Sequence, residues 1–212
     1  MLNSVSDPVR RRLSAEDRRR QLVGIGLSRI VDTPIQDLSL DAVAAEAGIS
    51  RGLLFHYFPT KTDFYLACIA AAGRRILRNT APSSDDPGPE QVRSMLVAMI
   101  EQIDRRRAFY LTLVHGSGVA DPRVSEVYDS VRSVSTDRVM AALGLDAAAY
   151  DLVHAWWAYV EDRALSWSAE PADGRTTSLE DLVAHCERVL ALLGGTGSGQ
   201  PTWSTAGPAG TS

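Results

Sequence analysis

The residues best equipped for recognition chemistry lie together in the stretch Ser39–Lys61, SLDAVAAEAGISRGLLFHYFPTK. At helical spacing, Arg51, Gly52, Leu53, His56 and Tyr57 fall nearer the outside, while Val43, Ala47, Ile49, Leu54 and Phe58 make one continuous apolar face. Arginine suits phosphate oxygens and guanine edges, so this is binding rather than bond-breaking chemistry. Elsewhere, His115 and His154 have Asp121 and Asp151 not far off in sequence, which is enough to imagine acid-base work. No nucleophile motif, glycine-rich phosphate loop or metal-ligand spacing joins them, so neither an enzyme nor a cofactor is expected. The four histidines, His56, His115, His154 and His185, are scattered without the spacing of a zinc site on any one helix. Cys68 and Cys186 each fall within an apolar helical pattern and are expected as buried thiols.

The elements that must hold this stretch are short and helical. Ala44 sits four residues before Gly48, so a small side chain and a residue tolerant of positive φ fall where two helices would cross closely. The first of the pair, roughly Leu40–Ala47, is too short to be stable alone and must be held by packing. Ser39, Ser50 and Thr60 are placed to cap successive helices, Thr60 with Asp63, and Pro59 ends the helix Arg51–Phe58. A helix, a tight turn and a second helix of this kind form a helix-turn-helix, a wedge that presents its second helix to a DNA major groove.

The segment GISRGLLFHYFPTKTDF resembles the recognition helix and following helix start of the tetracycline-repressor-like (TetR/AcrR) family of bacterial transcriptional regulators, whose usual form is close to G-V-S-R-G-x-L-Y-x-H-F-x-x-K-x-x-L. The match is near-continuous from Leu40 to Leu66. Phe55 takes the place usually held by Tyr, and Tyr57 the place usually held by His; both keep a ring. The resemblance implies that Arg51, Gly52, Leu53 and His56 meet the major groove, Arg51 on a guanine and Leu53 on a thymine methyl, while Ser50, Tyr57 and Lys61 clamp phosphates. So short a wedge covers little DNA, and useful specificity requires a homodimer on a palindrome-like double-stranded operator.

Net charge is −4 overall, yet residues 1–80 carry twelve Arg and Lys against eight acidic residues, and the remainder ten against eighteen. The basic part is the part that holds the wedge. Residues 1–13 read as a flexible basic arm ending in Arg10, Arg11 and Arg12, either an arm along phosphates or a solvated terminus. Ser14, with Asp17, begins the first helix, whose Arg18, Arg19 and Arg20 crowd its positive end in a way that a nearby phosphate backbone would relieve. No stretch approaches eighteen uninterrupted apolar residues, so no membrane partner is expected, and nothing at the N-terminus reads as a secretory signal, so the expected location is cytoplasmic.

The expected fold class is all-α. Residues 14–79 form the helix-turn-helix DNA-binding region with a fourth helix, Lys61 to about Asn79, long enough to carry movement into a second helical domain over residues 80–193. TAPSSDDPGP at Thr80–Pro89 marks the break, and residues 194–212 read as a flexible tail. In the second domain helices run from Glu90 to about Val114, with a kink near Asp104–Arg107, from Asp121-Pro122 to Leu143, from about Asp146 to Glu170, and onward from a capping box at Thr177 and Glu180. The resemblance implies that this domain dimerises and senses a small-molecule effector. Trp157, Val160, Leu179, Leu182, Cys186, Val189 and Leu193 make a seam that fits a dimer interface or an intramolecular core. Tyr110, Val114, His115, Tyr128, Trp156 and Tyr159 are the residues expected near a ligand cavity, with packing as the competing role. Few charges interrupt those stripes, which favours a largely apolar or aromatic effector. Repression released by ligand is the commoner family behaviour; the competing expectations are a structural DNA binder without an effector and, remotely, a ligand carrier or enzyme.

Overall fold

The first helix, α1 (Ala15–Ile30), turns a stripe of Leu22 and Gly26 inward and is capped by Ser14, whose hydroxyl accepts the Asp17 N–H at 3.0 Å. We describe residues 13–30, 37–83, 85–115 and 122–194 from a computed structural model. The basic arm through Arg12, most of the turn before Asp37, residues 116–121 including the expected helix start at Asp121, and the tail from residue 195 lie outside the described residues.

Two short helices follow, α2 (Leu40–Glu46) and α3 (Arg51–Tyr57), joined at Gly48, which adopts φ 65°. Around that glycine the Ile49 N–H reaches the Ala44 carbonyl at 3.0 Å and the Gly48 N–H the Ala45 carbonyl at 3.1 Å, which stops α2 and redirects the chain. The Ser39 hydroxyl accepts from Ala42 N–H and the Ser50 hydroxyl from Leu53 N–H, so both caps read from the sequence are formed. The long helix α4 (Lys61–Asn79) begins with a complete Thr60–Asp63 capping box.

Five more helices make up the remainder of the described residues: α5 (Gly88–Arg105), α6 (Arg107–His115), α7 (Pro122–Leu143), α8 (Tyr150–Trp167, preceded by one 3-10 turn, Ala147–Ala149) and α9 (Leu179–Gly194). The expected kink is a break at Arg106, whose backbone leaves the helical region at φ −133°. The last cap sits one residue later than the sequence suggests. Ser178, not Thr177, accepts the Asp181 N–H at 3.0 Å, because the Thr177 carbonyl is turned toward the Trp167 indole, which donates to it at 2.8 Å. Arg175 braces the same corner, paired with Asp104 and stacked 3.7 Å from the Trp167 ring centre.

The helix α4 belongs to both halves of the chain. Near its start it meets α1 so closely that a Cβ on Gly26 would stand 2.6 Å from Cys68 Sγ and 2.8 Å from Phe64 Cζ. Further along α4, a Cβ on Gly73 would lie 2.9 Å from Val131 of α7. Arg138 of α7 donates to the Leu77 carbonyl at 2.8 Å, and Asn79 donates to Gln102 of α5 at 3.0 Å. The rod is thus seated by backbone-close packing at one end on the helix-turn-helix and at the other on the second bundle.

Candidate nucleic-acid interface and effector cavity

Leu54 and Phe58 are fully buried, and Phe58 meets Phe64 edge to face with ring centres 5.0 Å apart, so the inner side of α3 is committed to the core. The outer side is left to solvent: Arg51, Gly52, His56 and Lys61 are exposed, and Leu53 is 39% exposed although it is a large apolar residue. Arg51 leans over the Phe55 ring and pairs with Asp41 at 2.7 Å, an exposed ion pair that a guanine edge can replace at little cost. The Ser50 hydroxyl accepts a cap bond and keeps its own proton to donate; Tyr57 is half-buried, its ring edge-on to His56. The wedge is locked from behind by α1. Arg29 holds Glu46 through two nitrogens at 2.9 and 2.7 Å, and Arg19 caps the end of α3 at the Tyr57 carbonyl (2.8 Å) while lying 4.3 Å over Phe58. Within the chain, then, the crowding of Arg18, Arg19 and Arg20 is relieved by protein groups: Arg18 reaches Gln21 and the Ala47 carbonyl, and Arg20 pairs with Asp17.

Where α1 and α4 meet the second bundle, Tyr110 divides two small cavities of about 20 Å³ each. On one side lie Leu27, Ala72, Arg75, Ile76, Gln102 and Arg106; on the other Ile69, Gly73, Met99, Val127, Tyr128, Val131 and Glu161, with Phe109, Ile76 and Tyr110 common to both. Each holds about one water and no larger molecule without side-chain movement. The Tyr110 hydroxyl accepts from Gln102 at 3.1 Å, and burial pushes its pKa well above the usual phenol value. Opposite it, the Tyr128 hydroxyl donates to Glu161, and Arg132 contacts both. Burial, then the Glu161 charge, raises the Tyr128 pKa, so this hydroxyl stays protonated as a donor.

A family model described as bacterial regulatory proteins, tetR family, matches residues 30–68, the span from the end of α1 through the wedge into α4. Residues 30–68 thus belong to the tetR family of bacterial regulatory proteins. Over 85% of its length the chain superposes on 82% of a TetR-family transcriptional regulator from Streptomyces coelicolor, with TM-score 0.74 and 25% identity. It is 24% identical to the HTH-type transcriptional activator FasR of Mycolicibacterium smegmatis over 64% of the chain and 63% of that protein. To the HTH-type transcriptional regulator BetI of Cronobacter sakazakii it is 31% identical over 40% of the chain and 42% of that protein. The chain thus spans less than two thirds of either curated relative. Its N-terminal helix-turn-helix bundle and C-terminal helical domain match the architecture of the Streptomyces coelicolor regulator.

Other residues singled out in the sequence fall in several places. Tyr110 and Tyr128 line the cavities; for Val114 and His115 the side chains lie outside the described residues. Trp156 and Tyr159 border neither cavity. The Trp156 indole donates to the Cys186 carbonyl at 2.9 Å, fastening α8 to α9, and the Tyr159 hydroxyl pairs with His185 at 2.5 Å across the same helices. In the seam, Trp157, Val160, Leu182 and Cys186 are buried inside the single chain. Leu179 and Val189 are half-buried, and Leu193 is exposed with Leu192, which is 73% exposed. Glu161 and Arg132 escaped the sequence reading. Tyr128 and Arg132, one turn apart, were the signal that a charged group shares the inner face of α7; its partner, 29 residues on, had none.

Proposed function

We propose that this chain is a homodimeric transcriptional repressor that reads a palindrome-like operator with α3 and releases it when a small effector occupies the cavities around Tyr110. The observation that carries the reading is the division of labour on α3: Leu54 and Phe58 are fully buried, while Arg51, Leu53 and His56 are exposed on its outer side. Arg51 and Leu53 contact base edges, with Gly52 and His56 beside them; Ser50, Tyr57 and Lys61 hold phosphates. Dimerisation uses the outward sides of α8 and α9, where Ala155, Asp162, Arg188 and Leu192 are exposed, rather than the buried half of the apolar seam. Residues 14–79 serve DNA and residues 80–193 serve sensing and dimerisation, in the cytoplasm where operator DNA is accessible. Among the described residues no helix is long and apolar enough to cross a membrane.

Effector control works by population shift. A ligand that enters beside Ile76 and Tyr110 favours a pose of α4 different from the DNA-bound one and so changes the spacing of the two recognition helices. Because α4 packs on α1 and α7 through Gly26 and Gly73, it moves as a unit. The test is fluorescence anisotropy on an operator and on random duplex. Arg51→Ala should reduce discrimination at one base position by about 1–3 kcal/mol, whereas Lys61→Ala should weaken binding to both duplexes and lower the salt slope by about one. Equal losses on both duplexes from both changes would sink this division of roles. A reporter behind the operator gives the sign of regulation, with expression rising when the protein is deleted.

A further inference from the structure

Three concavities run in series along α4. The outermost is an open groove of about 680 Å³, floored by Gly24, Ala67, Ala70 and Ala71 and walled by arginines from both helices, Arg19 and Arg20 on one side and Arg74, Arg75 and Arg78 on the other. It shares Leu27 and Arg75 with the first small cavity, at whose mouth Arg106 stands, and that cavity adjoins the second at Tyr110. Glu16 is the one acid lining the groove. Arg19 and Arg20 are engaged with the Tyr57 carbonyl and Asp17. Among the described residues, the guanidinium groups of Arg74, Arg75, Arg78 and Arg106 have no hydrogen-bond or ion-pair partner.

This clustering is unfavourable as it stands. Arg74, Arg75 and Arg78 lie three and four residues apart on one helix face, spacings at which like charges repel. Burial and the neighbouring Arg75 charge lower the Arg106 pKa, so the mouth of the inner cavity is already positively charged and short of a counter-ion. Operator phosphates are poorly placed to supply it. Lys61 marks the DNA end of α4, and Arg75 and Arg78 lie about 20–25 Å further along that rod. The groove is in the size range of small-molecule sites, and behind its charged rim the wall turns apolar through Leu27, Ile76 and Phe109.

We propose that groove and cavities form one track for an anionic amphiphile. A head of phosphate type, carrying more than one negative charge, sits among Arg74, Arg75, Arg78 and Arg106, and an unbranched hydrocarbon tail passes Leu27 and turns Tyr110 aside to join the two cavities. This rests on the reading that the cavities around Tyr110 are the effector site, and adds the charged head to it. Arg106, itself part of the head site, stands at the helix break four residues before Tyr110, so the same segment that meets the head carries the residue that must move.

The test uses full-length protein, with isothermal titration of dodecyl phosphate, dodecanol and pyrophosphate below micelle-forming concentrations. Dodecyl phosphate should bind at least tenfold tighter than either of the others and lower affinity for DNA. The double variant Arg75→Ala, Arg78→Ala alters two exposed side chains; it should lose about tenfold toward dodecyl phosphate and nothing toward dodecanol. Equal binding of dodecanol and dodecyl phosphate, or an unchanged double variant, overturns the head site while leaving the Tyr110 cavity as effector site. Pyrophosphate binding as tightly as dodecyl phosphate overturns the joined track. Binding of neither alkyl compound overturns both the track and the cavity reading beneath it.

Discussion

Replacing Glu161 with leucine should destabilise the protein far more than its single ion pair suggests. Glu161 accepts from Arg132 at 2.7 Å, and the two side chains are only 10% and 15% exposed. Burial works against the Arg132 charge, and Glu161 more than restores it, holding the pKa above its ordinary value. Arg132 Nε is already buried without a partner, so the guanidinium has little reserve when its carboxylate goes. Removing one member of a buried pair costs about 3–5 kcal/mol; because water reaches part of Arg132, the low end applies, about 3 kcal/mol. For a chain of this length that lowers Tm by about 6–12 °C. Replacing both members, Arg132→Leu with Glu161→Leu, should return stability to within about 1 kcal/mol of the parent, since no orphaned charge remains. The assay is thermal unfolding followed by far-ultraviolet circular dichroism at one fixed protein concentration, because assembly would contribute to apparent stability. A loss under 1 kcal/mol for Glu161→Leu, or a double variant as unstable as the single one, would refute the reasoning.

Ser178→Ala should cost about 1 kcal/mol through loss of the α9 cap, and Thr177→Ala close to nothing, read by urea unfolding; the reverse order would restore the cap to Thr177. Gly73→Ala places a methyl 2.9 Å from Val131 and should cost about 1–3 kcal/mol while altering the DNA affinity of the folded fraction, measured by anisotropy after gel filtration. Burial pushes the Cys68 thiol from an ordinary 9.0 up to about 12 and Cys186 up to about 11, so neither should react with a thiol reagent at pH 8 until the protein unfolds. Because the folded values are raised, the contribution of these thiols to stability is complete below about pH 9 and is lost as pH climbs toward 11–12, which alkaline unfolding of Cys68→Ala against the parent will read.

The helix-turn-helix was legible because several local signals agree there. Three hydroxyl caps, a positive-φ glycine and a proline fix helix ends within a residue, and the alternation between Leu54 or Phe58 and Arg51 or Leu53 fixes which side faces out. The second bundle was legible only in outline. A seam such as Leu182, Cys186 and Val189 has the same period whether it packs inside one chain or between two, and the buried Leu182 and Cys186 needed three dimensions to be placed. Glu161 and Asp162 are adjacent acids of the same type, yet one turns inward to Arg132 and the other outward, a choice made by a partner on another helix. Arg74, Arg75 and Arg78 form an exposed helix end; that Arg19 and Arg20 face them across a groove is a property of the α1–α4 packing, not of either helix alone.

The most direct measurement is selection of bound sequences from random duplex DNA by the purified protein at near-physiological salt, where non-specific phosphate attraction is screened. A reader with one α3 per protomer should enrich a two-fold-symmetric site whose half-sites lie about one helical turn or a multiple apart, with a guanine requirement that Arg51→Ala relaxes. A folded protein that enriches no site, or one whose enriched site is unchanged by Arg51→Ala, would contradict the account.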